Sequence, residues 1–449
     1  MKDTLAHATD ALRRFWTGRR AGLVVPSFNS ASQRLVSEVE ACGARLEVAV
    51  TCRDDLSLPA GVRSWRAAGL TGDDLGFRQW QRAPSRSFER WLDGVDEPRG
   101  LTFVGDPWMD VPSLAGRSVH GWRRPAWASL EDKTKIDDFW REIGVTAPRC
   151  KVVACRRELV EPIAARLDGG RGVLVATDAT RGFSSGSSGL AWVRTADQLS
   201  DVAERFATHS ERVRIAEFIL GVPCSVLAMV MSDGAAVFEP IEIVTLFDMS
   251  SDRLTFCGYS NRWRPSAQAR DQLRGTARQI AECLAAKLGY RGIFSVDGIQ
   301  TDSEFYATEL NARHASGLGL WAARPDFPIY LFNRAVQESL PEIDGISARN
   351  VEESFCQLIR SIPSHSISVP ASVLHEPLMP GDMLTATIES GWTQQVITYT
   401  HDKRSATIRK VEPLTADGIM APAASVLARR LAGRPLRCFK DEFSLDIMD

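Results

Sequence analysis

The 449-residue chain lacks the features that mark several classes of protein. It has no surplus charge of either sign, since 54 Lys and Arg balance 56 Asp and Glu, so it offers no basic field for nucleic acid. No apolar run approaches the roughly 18 residues that span a bilayer, and the polar segment 1–20 has no apolar signal core. We therefore expect a cytoplasmic protein without nucleic-acid or membrane partners.

Two kinds of motif are also missing. The nine cysteines are scattered, with no CxxC pair and no matching histidine spacing, which argues against a zinc-ribbon site or a disulfide framework. Reduced thiols that fill cores are the expected use of these residues. The turn after the first apolar run lacks GxGxxG, so dinucleotide binding is not supported.

The length predicts two or three domains. Apolar runs at 23–25 and 46–50 flank a helical pattern, and the run at 101–105 is typical of a later strand in the same parallel sheet. We predict an α/β protein whose first domain, over residues 1–125, is Rossmann-like.

The central region, 126–335, mixes strands with two well-marked helices. In the first, Ser129 and Asp132 are predicted to cap a helix that Gly144 ends. The second is the long amphipathic pattern at 266–288, which delivers the chain into a β-hairpin. Residues 336–449 are predicted to form a C-terminal α+β extension that closes with a helix.

The predicted hairpin carries the residues with the clearest chemistry. Asp297 lies on its first strand, and strict alternation along the second strand places Glu309 and Asn311 on one face together with Phe305 and Ala307. Two carboxylates and an amide oxygen are the hard ligands that Mg²⁺ prefers when phosphate oxygens and water complete its shell. The alternative is a surface hairpin whose charges are merely solvated.

The hairpin segment, GIFSVDGIQTDSEFYATELNARHASG, resembles the metal-binding hairpin of the ATP-grasp superfamily, which reads roughly G-x-x-x-V-D, a turn and E-[LIV]-N-x-R. The resemblance implies that Asp297, Glu309 and Asn311 hold the Mg²⁺ ions that bridge the phosphates of ATP. It also implies that Arg313 contacts the transferred phosphoryl group or the carboxylate of the substrate.

Three other segments resemble ATP-grasp motifs in the family order, namely SLEDKTKIDDFWREIGVTAP, RGFSSGSSG and RIAEFILGVPCSV. By resemblance, Lys133 in the first reaches the nucleotide phosphates, and Glu217 and Ile219 in the third hold adenine. The second resembles the loop that closes over the phosphates with backbone N–H groups, here Ser184, Ser185, Gly186 and Ser187. Each segment taken singly has an alternative interpretation. These are a solvated lysine for the first, a linker for the second and an edge-strand glutamate for the third.

The sequence departs from the family pattern at one phosphate-binding position. Where relatives read VVVKP, this chain reads VLVATD, so a second lysine is missing near Ala176. Arg181 is the candidate to stand in for it, although a guanidinium does not in general replace an ammonium group. Without a replacement, the missing charge-assisted hydrogen bond to a triphosphate should weaken binding by about 1.5–3 kcal/mol.

Residues near the hairpin are candidates for substrate contacts. His314 either orients the substrate, shuttles a proton near neutral pH, or simply packs at the end of the strand. Ser316 follows it in the same segment. Arg262 and Arg264 lie in the loop before the long helix, where relatives contact the acyl substrate.

The arrangement of a pre-ATP-grasp domain, an ATP-grasp core and a long extension looks most like the peptide ligases of peptide natural-product biosynthesis. The resemblance implies an ATP- and Mg²⁺-dependent carboxylate-amine ligase that forms an acyl phosphate and releases ADP and phosphate. A phosphotransferase and a degenerate nucleotide-binding scaffold are the alternatives. The expected partners are a small carboxylate and an amine, such as amino acids or peptides. The sequence leaves open whether the protein forms a homodimer.

Overall fold

The computed structural model describes residues 2–53, 58–67, 69–70, 74–179, 189–248, 253–261, 263–322, 327–361, 365–370, 383–391, 394–401, 404–409 and 436–438. Among the helices in these ranges, none is both long and apolar enough to cross a membrane.

The N-terminal domain is a six-stranded sheet in the order β3-β2-β1-β4-β6-β5, parallel except for β5. Its strands are β1 (Arg20–Val24), β2 (Arg45–Thr51), β3 (Arg63–Arg66), β4 (Leu101–Gly105), β5 (Ser113–Leu114) and β6 (Arg117–His120). Its helices are α1 (Lys2–Trp16), α2 (Ser30–Ala41), α3 (Asp74–Arg82) and α4 (Arg86–Val95). Leu23 and Val24 face different apolar clusters, so the sheet is buried on both sides, as its continuous apolar runs predict. The Rossmann-like prediction is confirmed.

A short helical connector leads to the second sheet and corrects the predicted cap. It contains α5 (Pro125–Ala128), a 3₁₀ turn (Ser129–Glu131) and α6 (Ile136–Ile143). Ser129 begins the 3₁₀ turn, and α6 starts later without a side-chain cap. Asp132 instead accepts bonds from the backbone N and Oγ1 of Thr134, at 3.0 and 2.7 Å, which holds the turn before α6. Gly144 ends α6 in the left-handed conformation, as predicted.

The small lobe is a four-stranded antiparallel sheet in the order β7-β10-β8-β9. Its strands are β7 (Cys150–Ala154), β8 (Val173–Thr177), β9 (Leu190–Val193) and β10 (Arg212–Glu217), and its helices are α7 (Arg157–Leu167) and α8 (Ala196–Ala207). The helices cover one face of the sheet, where Val175, Val213 and Ile215 share an apolar cluster. The alternate residues of β8 and β10 are therefore turned to the opposite face.

The large lobe is built on a second antiparallel sheet, in the order β16-β15-β11-β13-β14, with β12 beside β11. Its strands are β11 (Val222–Met231), β12 (Gly234–Val237), β13 (Ile241–Asp248), β14 (Arg253–Ser260), β15 (Gly292–Gln300) and β16 (Phe305–Asn311). Its helices are α9 (Ala267–Leu288), α10 (Ile329–Glu338) and α11 (Ala348–Ser361), with 3₁₀ turns at Ser316–Leu320 and Pro341–Ile343. The predicted long helix is α9, which Ser266 caps at its start and left-handed Gly289 ends.

The C-terminal strands continue this sheet. Beyond β14 lie β17 (His365–Pro370), β18 (Met383–Gly391), β19 (Gln394–His401) and β20 (Arg404–Arg409), whereas β21 (Leu436–Cys438) pairs with β13. The predicted closing helix lies outside the described residues.

The prediction of strict alternation along β16 is wrong at one residue. Asp297 pairs with Glu309, but the next residue of β15, Gly298, pairs with Ala307, so Thr308 is an extra residue in a β-bulge. The bulge turns Thr308 and Glu309 toward the same side of the sheet.

This bulge separates the residues that alternation grouped together. Phe305 and Ala307 lie in the apolar core, together with Leu310. Glu309 and Asn311 still share a face, but it is the opposite one, which lines a cavity.

Close backbone contacts at the bulge predict the effect of a side chain at Gly298. A Cβ atom there would lie 2.2 Å from the carbonyl oxygen of Tyr306 and 2.4 Å from the ring of Phe305. We expect Gly298→Ala to lower the free energy of unfolding by about 1–3 kcal/mol through overpacking, measured by urea denaturation. The control is Gly275→Ala in α9, where a Cβ meets nothing within 4 Å, and which should raise stability by about 1 kcal/mol. Wild-type stability in Gly298→Ala would contradict the bulge.

Candidate functional site

A cavity of about 590 Å³ lies where the N-terminal domain, the small lobe and the large lobe meet. Its walls come from the start of α2 and the loop after β4, from β8 and β10, and from β15, β16 and the segment that follows. This volume is typical of a small-molecule site. The residues predicted from the sequence that line it are Lys133, Glu217, Ile219, Asp297, Glu309, Asn311, Arg313, His314 and Ser316.

Two carboxylates are held opposite each other on one side of this cavity. Asp297 on β15 is the cross-strand partner of Glu309 on β16. The Asp297 carboxylate accepts a bond from Ser225 Oγ at 2.6 Å and another from Asn311 Nδ2 at 3.0 Å. Burial and the negative charge of Glu309 raise the pKa of Asp297 to about 7. The site therefore concentrates negative charge that a cation would offset.

The donor chemistry fits a magnesium ion. Both acids offer carboxylate oxygens to the cavity, and Asn311 adds an amide beside them. In the described residues no group of three or more His, Cys, Asp and Glu side chains is placed to hold a metal. Two acids and an amide leave the remaining positions of an octahedral ion to water and phosphate oxygens, which is the usual environment of Mg²⁺ at a nucleotide.

Lys133 stands beside these acids. Its Nζ atom lies 3.2 Å from Glu309 Oε1, and both side chains are partly exposed to the cavity. A mobile ammonium group at this place can exchange its carboxylate partner for a phosphate oxygen.

Arg313 is fixed on three sides. Its Nη2 donates to Asn311 Oδ1 at 2.9 Å, and its Nε lies 3.3 Å from Glu131 Oε1. The guanidinium group lies over the ring of Trp108, 4.4 Å from the centroid. No sequence motif points to Trp108 or Glu131 as a site residue. Trp108 comes from the N-terminal domain, so no local pattern links it to the hairpin.

Glu131 also forms an ion pair with a second arginine. Its Oε1 lies 2.7 Å from Arg123 Nη2, and both residues are buried. Burial lowers the pKa of the Arg123 guanidinium, and the charge of Glu131 opposes that shift. One carboxylate thus lies between two guanidinium groups, that of Arg123 behind the cavity wall and that of Arg313 on the wall itself.

One part of the cavity, the apolar slot, is lined by apolar side chains. Leu174, Phe218 and Ile219 line it, and Trp192 stacks on Phe218 with 4.4 Å between ring centroids. Glu217 lies at its edge, but its carboxylate accepts bonds from the backbone N and Nε of Arg149, at 2.8 and 2.6 Å. A flat aromatic ligand fits walls of this kind.

The structure does not support a proton shuttle at His314 that titrates near neutral pH. Desolvation and the charges of Arg334 and Arg313 lower the pKa of His314 well below its usual range. The imidazole packs edge-on against Tyr330, 5.3 Å between centroids. It is therefore a neutral wall residue at pH 7, which agrees with the packing interpretation.

The other predicted substrate and loop residues either do not line the cavity or lie outside the described ranges. The cavity does not include Arg264, which is exposed and donates to the carbonyl oxygens of Asn261 and Trp263 in its own loop. The remaining predicted residues lie outside the described ranges, namely Arg181, Ser184, Ser185, Gly186, Ser187 and Arg262.

Comparison with known proteins identifies the fold. No family model and no curated protein matches the sequence. Among solved structures, the chain is similar to biotin carboxylase from Campylobacter jejuni in a β,γ-ATP complex, at 13% identity and a TM-score of 0.53, with 86% of this chain and 84% of that chain covered. It is similar to carboxyaminoimidazole ribonucleotide synthase from Aspergillus clavatus complexed with ATP, at 13% identity and 0.52, with 80% and 83% covered.

A third similar structure is phosphoribosylamine–glycine ligase from Thermotoga maritima, at 12% identity and a TM-score of 0.50, with 93% of this chain and 97% of that chain covered. Identities this low establish the fold alone. The chain has a Rossmann-like pre-ATP-grasp domain followed by a two-lobed ATP-grasp fold.

The double role of Glu131 predicts a large effect on stability. Glu131→Gln leaves the buried guanidinium of Arg123 without its countercharge, so we expect the free energy of unfolding to fall by about 3–5 kcal/mol in urea denaturation. Glu142→Gln is the matched control, because it removes an exposed ion pair with Lys287 and should leave stability nearly unchanged. Equal stability of the two variants would contradict the role assigned to Glu131.

Proposed function

We propose that the protein is an ATP-dependent ligase that joins a carboxylate to an amine through an acyl phosphate. The observation that carries this proposal is the cross-strand pair of Asp297 and Glu309, which faces a cavity together with Lys133 and Arg313. Two of the structures with a similar fold were solved with ATP or a β,γ-ATP ligand, which supports a nucleotide site.

The nucleotide would lie along the cavity between the two lobes. The adenine base would enter the slot beside Phe218 and Ile219, with Glu217 and backbone groups at its edge. Asp297, Glu309 and Asn311 would hold Mg²⁺, whose chemistry is to neutralise charge on the phosphate oxygens. Lys133, which lies beside Glu309, would donate to a phosphate oxygen.

The reaction consists of two displacements. A carboxylate oxygen of the substrate attacks the γ-phosphorus, the bond from that phosphorus to the bridging oxygen breaks, and ADP leaves. The amine nitrogen then attacks the acyl carbon, inorganic phosphate leaves, and the nitrogen loses a proton. The described side chains supply position and charge in these steps, and we assign no general base.

Arg313 would act on the transferring group. Its contacts with Asn311, Glu131 and Trp108 fix the guanidinium group in advance, so little reorganisation is needed as charge develops on the phosphoryl oxygens. Shielding this group from water would matter, because an acyl phosphate hydrolyses readily.

The substrate class is a further part of this proposal. We infer amino-acid or peptide substrates and a role in peptide natural-product biosynthesis from the sequence resemblance. The division into a domain at 1–125, a core at 126–335 and an extension at 336–449 belongs to the same proposal. The long C-terminal segment is its main support, since it adds strands to the large-lobe sheet that holds the acids.

The test is a mass-spectrometric screen of acid and amine pools with ATP and Mg²⁺. We expect ADP release that requires both an acid and an amine. Glu309→Gln should lower the rate by about 100-fold or more, because it removes charge from the cation site. The control is Glu304→Gln in the same hairpin, whose carboxylate accepts a bond from Thr146 Oγ1 and which does not line the cavity, and it should keep wild-type activity.

Other products would point to other functions. A stable phosphorylated acid would favour a phosphotransferase, and the absence of ADP under every condition would favour a nucleotide-binding scaffold. AMP release, or equal product from wild type and Glu309→Gln, would contradict the proposed site.

A further inference from the structure

The cations of the cavity wall are unevenly distributed between the lobes. Among the described residues that line the cavity, the Lys and Arg side chains are Arg53, Lys133, Arg214, Arg313 and Arg334. Arg214 on β10 is the member of this set that belongs to the small-lobe sheet. Any phosphate that contacts this sheet therefore depends on Arg214 for positive charge from the described residues.

The strand register places Arg214 where it can serve this purpose. Arg214 is the direct cross-strand partner of Ala176 on β8, and paired residues project from the same face of a sheet. Both residues line the cavity, whereas Val213 and Ile215 are in the apolar cluster on the other face. Arg214 thus shares the cavity face of the sheet with Ala176, which itself has no polar atom in its side chain.

The side chain of Arg214 is held by a bidentate ion pair. Its Nε and Nη2 donate to the two carboxylate oxygens of Asp137 on α6, each at 2.7 Å, and the residue is 6% exposed. The pair does not use the third nitrogen, Nη1, and the thiol of Cys150 on β7 also forms a hydrogen bond with the guanidinium group. An arginine that is held this way is oriented before a ligand arrives, so binding does not have to order it.

We propose that Arg214 is the phosphate-binding cation of the small lobe, and that it supplies from β10 the charge that Ala176 on β8 does not. Asp137 acts as its positioning residue. The inference rests on the proposed function, because it requires a nucleotide in this cavity. It assigns a ligand class to Arg214, a nucleotide phosphate, and gives the ion pair a role beyond joining β10 to α6.

Calorimetric titration with ATP and with adenosine tests the assignment. Arg214→Gln should weaken ATP binding by about tenfold or more, because the variant cannot form one charge-assisted hydrogen bond, while adenosine binding stays within twofold of wild type. Arg157→Gln is the matched control, since Arg157 is an exposed arginine of α7, on the far side of the same sheet. It should leave both affinities unchanged.

Two more variants separate a phosphate contact from a structural role. Asp137→Asn keeps the positive charge of Arg214, so it should reduce ATP affinity less than Arg214→Gln does. The double variant Ala176→Lys with Arg214→Gln returns a cation to the same face from the neighbouring strand and should restore part of the ATP affinity. Neither result is expected if the ion pair only joins β10 to α6.

The results that would overturn the Arg214 assignment differ from those that would also overturn the proposed function. Arg214→Gln with ATP affinity within twofold of wild type, or with an equal loss for ATP and adenosine, would overturn this assignment alone. Wild-type protein that binds neither ligand would overturn both this assignment and the proposed function.

Discussion

The pairing of Asp297 with Glu309 is the interaction on which the rest of the site depends. Adjacent antiparallel strands fix the two carboxylates opposite each other, and burial raises the cost of their shared negative charge. A protein retains such a pair only if a cation or a network of donors offsets it. Here Ser225, Asn311 and Lys133 supply donors, and a divalent ion would supply the larger compensation.

The N-terminal domain forms part of the cavity around this pair, and hydrogen bonds attach that domain to the large lobe. Glu38 on α2 accepts bonds from the backbone N of Tyr330 and of Leu331 at the start of α10, at 2.9 and 3.0 Å. Arg334 on the same helix donates to the carbonyl oxygen of Gly105 at 2.5 Å, directly before the loop that carries Trp108. These bonds hold Trp108 against Arg313 and so connect domain docking to the orientation of the site.

The sequence predicts most of the fold and the acids of the site because both depend on local spacing. The bulge on β16 departs from strict alternation, and the sequence carries a signal of it. The apolar residues Phe305, Ala307, Leu310 and Ala312 are spaced by two, three and two. The interval of three marks the position of the extra residue. At that point the spacing of the apolar residues departs from the period of two.

Residues from other elements could not be predicted in the same way. The pattern of Val213, Arg214 and Ile215 indicates that Arg214 faces away from the small-lobe core, but not what it faces. Trp108 and Glu131 reach Arg313 through tertiary contacts that no local period encodes. The residue type of His314 allows several roles, and only its buried surroundings, which lower the pKa of the imidazole, favour the packing role.

The central claim is that the paired strands hold a divalent cation against the phosphates of a nucleotide. A crystal structure with a non-hydrolysable ATP analogue and Mn²⁺, examined by anomalous scattering, tests it most directly. We predict a manganese peak within about 2.5 Å of oxygens from both Asp297 and Glu309, in contact with the phosphates. A nucleotide bound without such a peak, or with both carboxylates turned to solvent, would contradict the account.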